Sequence, residues 1–265
     1  LLLPRARNAG NSKDFPANKK YAIPLSITGA SNYSLIPSQR SAILLLNRSI
    51  LSSVAKVSGG EGIRIKPVGM HTKAEWTIQM SAIYSSLTRS NLTTAYLSNG
   101  TGGEFYTRIS STAGIQVKNG RDGDDTWTQI PLQAGKWLHI TYVHKDKKTT
   151  VYVNGKVQKV FENSAITFGE NSMIVVGNSG YRNDYLREIR LWDKALTESE
   201  INDYLYLPMD PATPHLISYL PLSKEMETKD LKAPAGTENV TTKARIEYVE
   251  NVKFPADELV IVNQE

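Results

Sequence analysis

The sequence predicts an all-β protein that folds as an antiparallel sandwich of two sheets. Short runs alternate apolar and polar residues, turn signals separate them, and no long segment has a helical period. In EWTIQMSAIY (75–84), the clearest run, Trp76, Ile78 and Met80 share one face. Because such runs recur as far as Val176, two stacked sheets should enclose the core and leave the chemistry to connecting segments.

The first 55 residues are predicted to form a small N-terminal β segment, either complete or the end of a larger domain. YAIPLSIT (21–28) alternates, and Pro24 suits an edge strand because it cannot donate to a ladder. AILLL (42–46) is a short apolar run. The polar stretch after it predicts a domain boundary between about residues 47 and 58.

The sandwich is predicted to span residues 58–232. In VYVNGKVQKVF (151–161), Asn154 and Gly155 tolerate the positive φ of a type I′ turn and therefore predict a two-residue hairpin. The other predicted strands, in chain order, are GIRIKPV, EWTIQMSAIY, TAYLSNG, EFYTRIS, GIQVKNG, TWTQIPL, WLHITYVH, ITFG and SMIVVGN.

One helix is predicted near residues 198–206. Thr197 and Glu200 have the spacing of a capping box, apolar residues follow at helical spacing, and Pro208 ends the segment. HLISYLPL (215–222) returns as a strand, and residues 233–265 are predicted to be an extension that adds an edge strand.

Composition excludes several functions. The absence of cysteine excludes disulfides and thiolate metal sites, and no run of 18 apolar residues is present to span a membrane. The net charge of +5 is concentrated in residues 1–50, which hold seven basic side chains and one acid. That segment lacks interleaved stacking aromatics, so nucleic-acid binding is not predicted. His139 and His144 lie at odd spacing on one strand and cannot share a zinc ion.

Three segments carry a family resemblance: GKWLHITYV (135–143), KTTVYVNGKVQ (148–158) and LREIRLWDKALTESEI (186–201). Together they resemble laminin-G-like modules of the concanavalin A-like lectin/glucanase superfamily, over residues 60 to 225. The resemblance implies a jelly-roll sandwich. Arg187 departs from it, because the family has an acid at that position.

A second resemblance lies near the N-terminus. YAIPLSITGAS is similar to the last strand of a domain of unknown function in gut-bacterial surface lipoproteins. It implies an exported protein at the cell surface, the outer membrane or in the periplasm, linked to glycan harvesting. Any membrane attachment would come from a lipid anchor outside this fragment.

The protein is predicted not to be an enzyme. Glycosidases of this fold flank the scissile bond with two carboxylates. Glu188 and Asp193 are five residues apart, so on a continuous strand they point to opposite faces. A glycoside hydrolase stays open as an alternative in which two acids from distant segments meet in a cleft.

The predicted ligand site combines aromatics near turns with polar neighbours, because sugars stack on aromatic faces and bond to planar polar groups. The predicted ligand-binding residues are Trp127, Tyr181, Arg182, Asn183 and Asp125. Trp127 also fits packing on the sheet, and Tyr181 fits an exposed loop. In RDGDD (121–125), Asp122 and Asp124 are candidate calcium ligands, although the same composition suits a plain hairpin loop.

The function predicted from these features is non-catalytic binding of an oligo- or polysaccharide, with no cofactor or with calcium. The alternative is a structural or adhesive spacer that binds other surface proteins. A spacer predicts no sugar binding and a sizeable exposed apolar patch.

Overall fold

A computed structural model of the protein describes most of the chain between residues 53 and 252 and two earlier strands. The described residues are 32–35, 44–47, 53–60, 62–70, 73–87, 92–98, 103–119, 126–162, 166, 168–177, 184–205, 209–250 and 252. Near the N-terminus, β1 (Asn32–Leu35) pairs antiparallel with β2 (Leu44–Asn47). The predicted strand YAIPLSIT lies outside the described residues.

One sheet of the sandwich has eight strands. They are β3 (Ser53–Ser58), β5 (Trp76–Ile83), β10 (Trp137–Lys145), β11 (Lys148–Val153), β12 (Lys156–Glu162), β14 (Asp184–Trp192), β15 (Leu216–Leu220) and β17 (Arg245–Glu250). Their order is β12-β11-β10-β5-β14-β3-β17, and β15 pairs with β14.

The second sheet has seven strands. They are β4 (Ile63–Ile65), β6 (Leu92–Ser98), β7 (Gly103–Ser110), β8 (Gly114–Asn119), β9 (Thr126–Trp127), β13 (Met173–Val176) and β16 (Val240–Thr242). Their order is β16-β4-β13-β6-β7-β8-β9, and every pairing is antiparallel. The predicted two-sheet antiparallel sandwich is therefore confirmed.

The hairpin between β11 and β12 forms where the sequence places it. Asn154 has φ 51° and Gly155 has φ 76°, the positive values that a type I′ turn requires at both central positions. The two strands pair antiparallel on either side of this turn.

The core lies between the inner faces of the two sheets, where the alternating apolar residues meet. Trp76 of β5 and Phe105 of β7 pack edge to face with ring centroids 5.1 Å apart, and Trp76 Nε1 donates to the Ile166 carbonyl at 2.9 Å. The Tyr142 hydroxyl, 2.7 Å from Thr94 Oγ1, is enclosed in this core, and burial raises its pKa to about 12.

A short helix covers the outer side of the eight-stranded sheet. α1 (Glu198–Asp203) begins at the predicted capping box, in which Glu200 N donates to Thr197 Oγ1 and Thr197 N donates to Glu200 Oε2. It ends three residues earlier than predicted. Its Ile201 belongs to a second apolar cluster, with Val143, Tyr152, Trp192, Leu196, Met209, Leu216 and Tyr219.

Beneath that helix lies a layer of buried polar side chains. Trp192 Nε1 donates to Gln79 Oε1 at 2.9 Å, and Gln79 Nε2 donates to Thr141 Oγ1 at 3.5 Å. His139 is fully buried in the same layer, where burial and then the charge of Arg190 lower its pKa to about 3. The side chain is therefore neutral at physiological pH.

Segments on both sides of the predicted sandwich contribute strands to it. β3 starts at Ser53, inside the predicted N-terminal segment, and pairs with β14 and β17. β16 and β17 come from residues 233–265 and lie at the ends of the two strand orders. Within the described part of the chain, no helix has both the length and the apolar composition needed to cross a bilayer.

Candidate functional site

Of the predicted site residues, Trp127 alone is among those that the structure describes. It ends β9, the last strand of the seven-stranded sheet, and its side chain is partly exposed. The other predicted positions lie outside the described residues: Asp122, Asp124, Asp125, Tyr181, Arg182 and Asn183. The shared site that joins them to Trp127 therefore stays a prediction.

The described strands β13 and β8 come directly before the two segments that hold the other predicted site residues. β13 leads towards Tyr181, and Val176 near its end is level with Ala95 of β6. β8 leads towards the acidic segment, and Asn119 at its end is level with Phe105, near the start of β7. Because β13 and β8 run in opposite directions, Val176 and Asn119 lie at opposite ends of the sheet. Gly177 and Trp127 are separated by four strand spacings, about 19 Å.

Contacts from both sheets hold Trp127 in place. Lys159 Nζ of β12 donates to the Trp127 carbonyl at 2.9 Å, which links the edges of the two sheets. The next residue, Thr128, bonds back to β8 through its backbone N–H and its hydroxyl. Gly114 permits this approach, since a Cβ there would lie 2.2 Å from Thr128 Oγ1. The backbone of β9 is thus anchored on both sides.

The outer face of the seven-stranded sheet carries two adjacent rows of side chains. Strand register aligns the first row across the sheet, because directly paired residues point to the same face. That row comprises Thr241, Arg64, Val175, Tyr96, Tyr106 and Lys118. Neighbouring residues on the same strands, such as Phe105 and Leu97, point into the core.

The second row lies beside the first and ends at Trp127. Arg108 of β7 pairs with Gln116 of β8, and Gln116 pairs with Trp127 of β9. We call the five side chains Tyr96, Tyr106, Arg108, Gln116 and Trp127 the aromatic–arginine face. Three partly exposed aromatics and two planar polar groups thus share one surface.

Ring contacts tie together the first part of this face. The rings of Tyr96 and Tyr106 have centroids 6.4 Å apart with a 37° tilt. The Arg108 guanidinium lies over the Tyr106 ring, with Cζ 4.9 Å from the centroid. A guanidinium held over a ring keeps its edge N–H groups available for planar acceptors.

Gln116 is the unusual member of the aromatic–arginine face. It is 0% exposed, and neither atom of its carboxamide has a hydrogen-bond partner in the part of the chain that the structure describes. The buried Nε of its cross-strand partner Arg108 also lacks an acceptor there. Leaving a buried polar group unsatisfied costs about 1–3 kcal/mol, so this pair is a costly arrangement, and a bound acceptor would relieve the cost of its N–H groups.

Glu188 and Asp193, the two acids considered as a glycosidase pair, each form ion pairs with basic side chains. Glu188 is buried in β14 with a positive φ of 56°, at a register shift, and accepts from Arg190 at 2.8 Å and from the Tyr219 hydroxyl at 3.0 Å. Asp193 lies beyond the strand and pairs with Lys73 and His215, each at 3.0 Å. The lysine and histidine hydrogen bonds lower the pKa of Asp193 despite an opposing effect of burial. The assumption of a continuous strand was wrong, and each acid belongs to its own ion pair.

The described side chains offer no cluster of metal ligands. No three His, Asp or Glu residues there lie close enough to share an ion. The candidate calcium ligands Asp122 and Asp124 lie outside the described residues, so calcium binding stays a prediction.

The sequence interpretation missed four members of the aromatic–arginine face. Tyr96 and Tyr106 lie within the predicted strands TAYLSNG and EFYTRIS, whereas the predicted ligand contacts lie near turns. The available signal was their position on the polar side of the alternation, where a tyrosine is not needed by the core. That signal does not show which strands lie side by side in the sheet.

The match to a family model agrees with this architecture. Residues 58–202, more than half of the chain, match the model described as concanavalin A-like lectin/glucanases superfamily. The protein therefore belongs to this family of laminin-G-type sandwich domains.

Solved structures that are similar to this chain have low sequence identity to it. A candidate carbohydrate binding protein from Bacteroides ovatus is 19% identical with a TM-score of 0.57, and the alignment covers 75% of this chain and 60% of that one. A heptameric SAP-like pentraxin from Limulus polyphemus is 13% identical with a TM-score of 0.49, covering 74% of this chain and 95% of that one. No curated protein sequence matches the chain significantly.

Proposed function

We propose that the protein binds a glycan, without cleaving it, on the aromatic–arginine face. The observation that carries this proposal is the row of Arg108, Gln116 and Trp127, beside which the Tyr106 ring of the first row lies under the Arg108 guanidinium. Aromatic rings provide stacking surfaces for the CH faces of sugars, and planar polar groups bond to the hydroxyls. The fold shared with a candidate carbohydrate binding protein supports the same class of ligand.

The proposal includes an exported location at the cell surface, at the outer membrane or in the periplasm, and a role in glycan harvesting. This location and this role rest on the resemblance of the N-terminal segment to surface lipoproteins. A spacer that binds proteins would need a sizeable apolar patch. Among the described side chains, the exposed large apolar residues are Val68, Ile130, Val157 and Val160, of which only the last two share a strand. That surface is small for such a role.

A glycan array tests the proposal, with Trp127→Ala as the diagnostic variant. We expect the wild type to bind one or more glycans and Trp127→Ala to lose at least about ten-fold in affinity, roughly 1.4 kcal/mol. Trp137→Ala is the matched control, because Trp137 is also partly exposed but lies in the opposite sheet.

Thermal unfolding of each variant shows that it is folded. An array without signal for the wild type would end the glycan-binding proposal. Equal losses in the two tryptophan variants would remove the site from the aromatic–arginine face.

A further inference from the structure

We propose that Arg108 and Gln116 form a carboxylate-binding subsite, so that the glycan bound on the aromatic–arginine face carries acidic sugars. This inference rests on the proposed glycan binding and specifies its ligand class. It starts from two neighbouring polar groups whose buried atoms have no partner among the described residues: the Arg108 Nε and both polar atoms of the Gln116 carboxamide.

Geometry brings these two groups together. Arg108 and Gln116 are direct cross-strand partners on the outer face, so their Cβ atoms are about 4.5–5.5 Å apart. The Tyr106 ring lies under the guanidinium and limits its orientations. A guanidinium presents a fork of N–H donors that fits the two oxygens of a carboxylate, and the neighbouring amide N–H₂ adds a third donor.

The charge of Arg108 favours an acidic ligand. Arg108 is a cation, and the described side chains of the two rows include no acid. A neutral sugar could bond to the amide but would not pair with the Arg108 charge. Gln116 is fully covered, so the atoms that cover it must move before a ligand can reach the amide.

Matched pairs of oligosaccharides provide the test. The probes are uronate-containing and sialylated oligosaccharides, the carboxyl-reduced neutral form of each, and a sulfated set without carboxylates, with affinities measured by titration calorimetry. We expect acidic members to bind at least about ten-fold more tightly than their reduced partners, with an affinity that falls as salt rises. Arg108→Gln should bring the acidic member to within about two-fold of the neutral one, and Gln116→Leu should lower the preference while the protein stays folded. Arg245→Gln is the control, because Arg245 is exposed on β17 in the opposite sheet.

The outcomes separate this inference from the proposed function. Equal binding of acidic and neutral forms, with both lost in Trp127→Ala, would overturn the carboxylate subsite and leave glycan binding in place. A preference for sulfated probes alone would also overturn it. Binding to no member of the set, and to no glycan on the array, would overturn both proposals.

Discussion

Replacing Gln116 with leucine should make the protein more stable, and the size of the effect follows from the geometry. The Gln116 side chain is 0% exposed and its carboxamide has no partner among the described residues. Leaving such a group unsatisfied costs about 1–3 kcal/mol. Leucine has nearly the same volume and no polar atom, so Gln116→Leu should recover most of this cost.

The control variant is Gln79→Leu on the opposite sheet. Gln79 is equally buried, but its Oε1 accepts from Trp192 Nε1 at 2.9 Å and its Nε2 donates to Thr141 Oγ1. Removing this amide leaves the buried indole N–H without its acceptor, so Gln79→Leu should lose about 1–3 kcal/mol. The same substitution at two buried glutamines should therefore have opposite signs.

Urea unfolding followed by circular dichroism measures both changes. In a thermal melt of a domain of this size, the same 1–3 kcal/mol would shift the unfolding temperature by about 2–12 °C. A fall in stability for Gln116→Leu comparable to that for Gln79→Leu would refute the reasoning. It would mean that the Gln116 amide is satisfied in solution, for example by ordered water.

Two further predictions concern the hairpin and the buried histidine. Gly155→Ala should cost more than the roughly 1–2 kcal/mol of a left-handed residue, because its Cβ would lie 2.2 Å from Asn202 Oδ1, and thermal unfolding measures the loss. The free energy of unfolding should fall by about 1–2 kcal/mol between pH 6.5 and pH 5, as urea titrations can measure. The reason is that His139, with its pKa lowered to about 3 by burial, takes up its proton near pH 6.5 only when unfolded.

Each of these predictions has its own control. Gly135→Ala keeps the positive φ, at 73°, but meets no atom within 4 Å, so equal losses at both glycines would show that Asn202 moves aside freely. His139→Gln should flatten the pH dependence without abolishing it, because burial also lowers the pKa of His144. An unchanged slope in that variant would contradict the role of His139.

Local features of the chain were predicted well because their causes are local. The hairpin at Asn154 and Gly155 needs only two residues that tolerate positive φ, and the α1 cap needs only Thr197 and Glu200 three residues apart. The inward faces followed from alternation, since a one-residue slip in register would turn all the apolar side chains of a strand towards solvent. β14 is the exception. The strand has a register shift at Glu188, whose side chain forms a buried ion pair with Arg190, and this breaks the alternation.

The fold class and the inner faces were thus accessible from sequence, since alternation and turn chemistry act over a few residues. The aromatic–arginine face was not, because its members come from β6, β7, β8 and β9 and become neighbours only through strand order and register. Trp127 was found as a residue near a turn, but its partners Gln116 and Arg108 were not. Pairing between strands depends on long-range backbone hydrogen bonds and core packing, which a pattern within one strand does not encode.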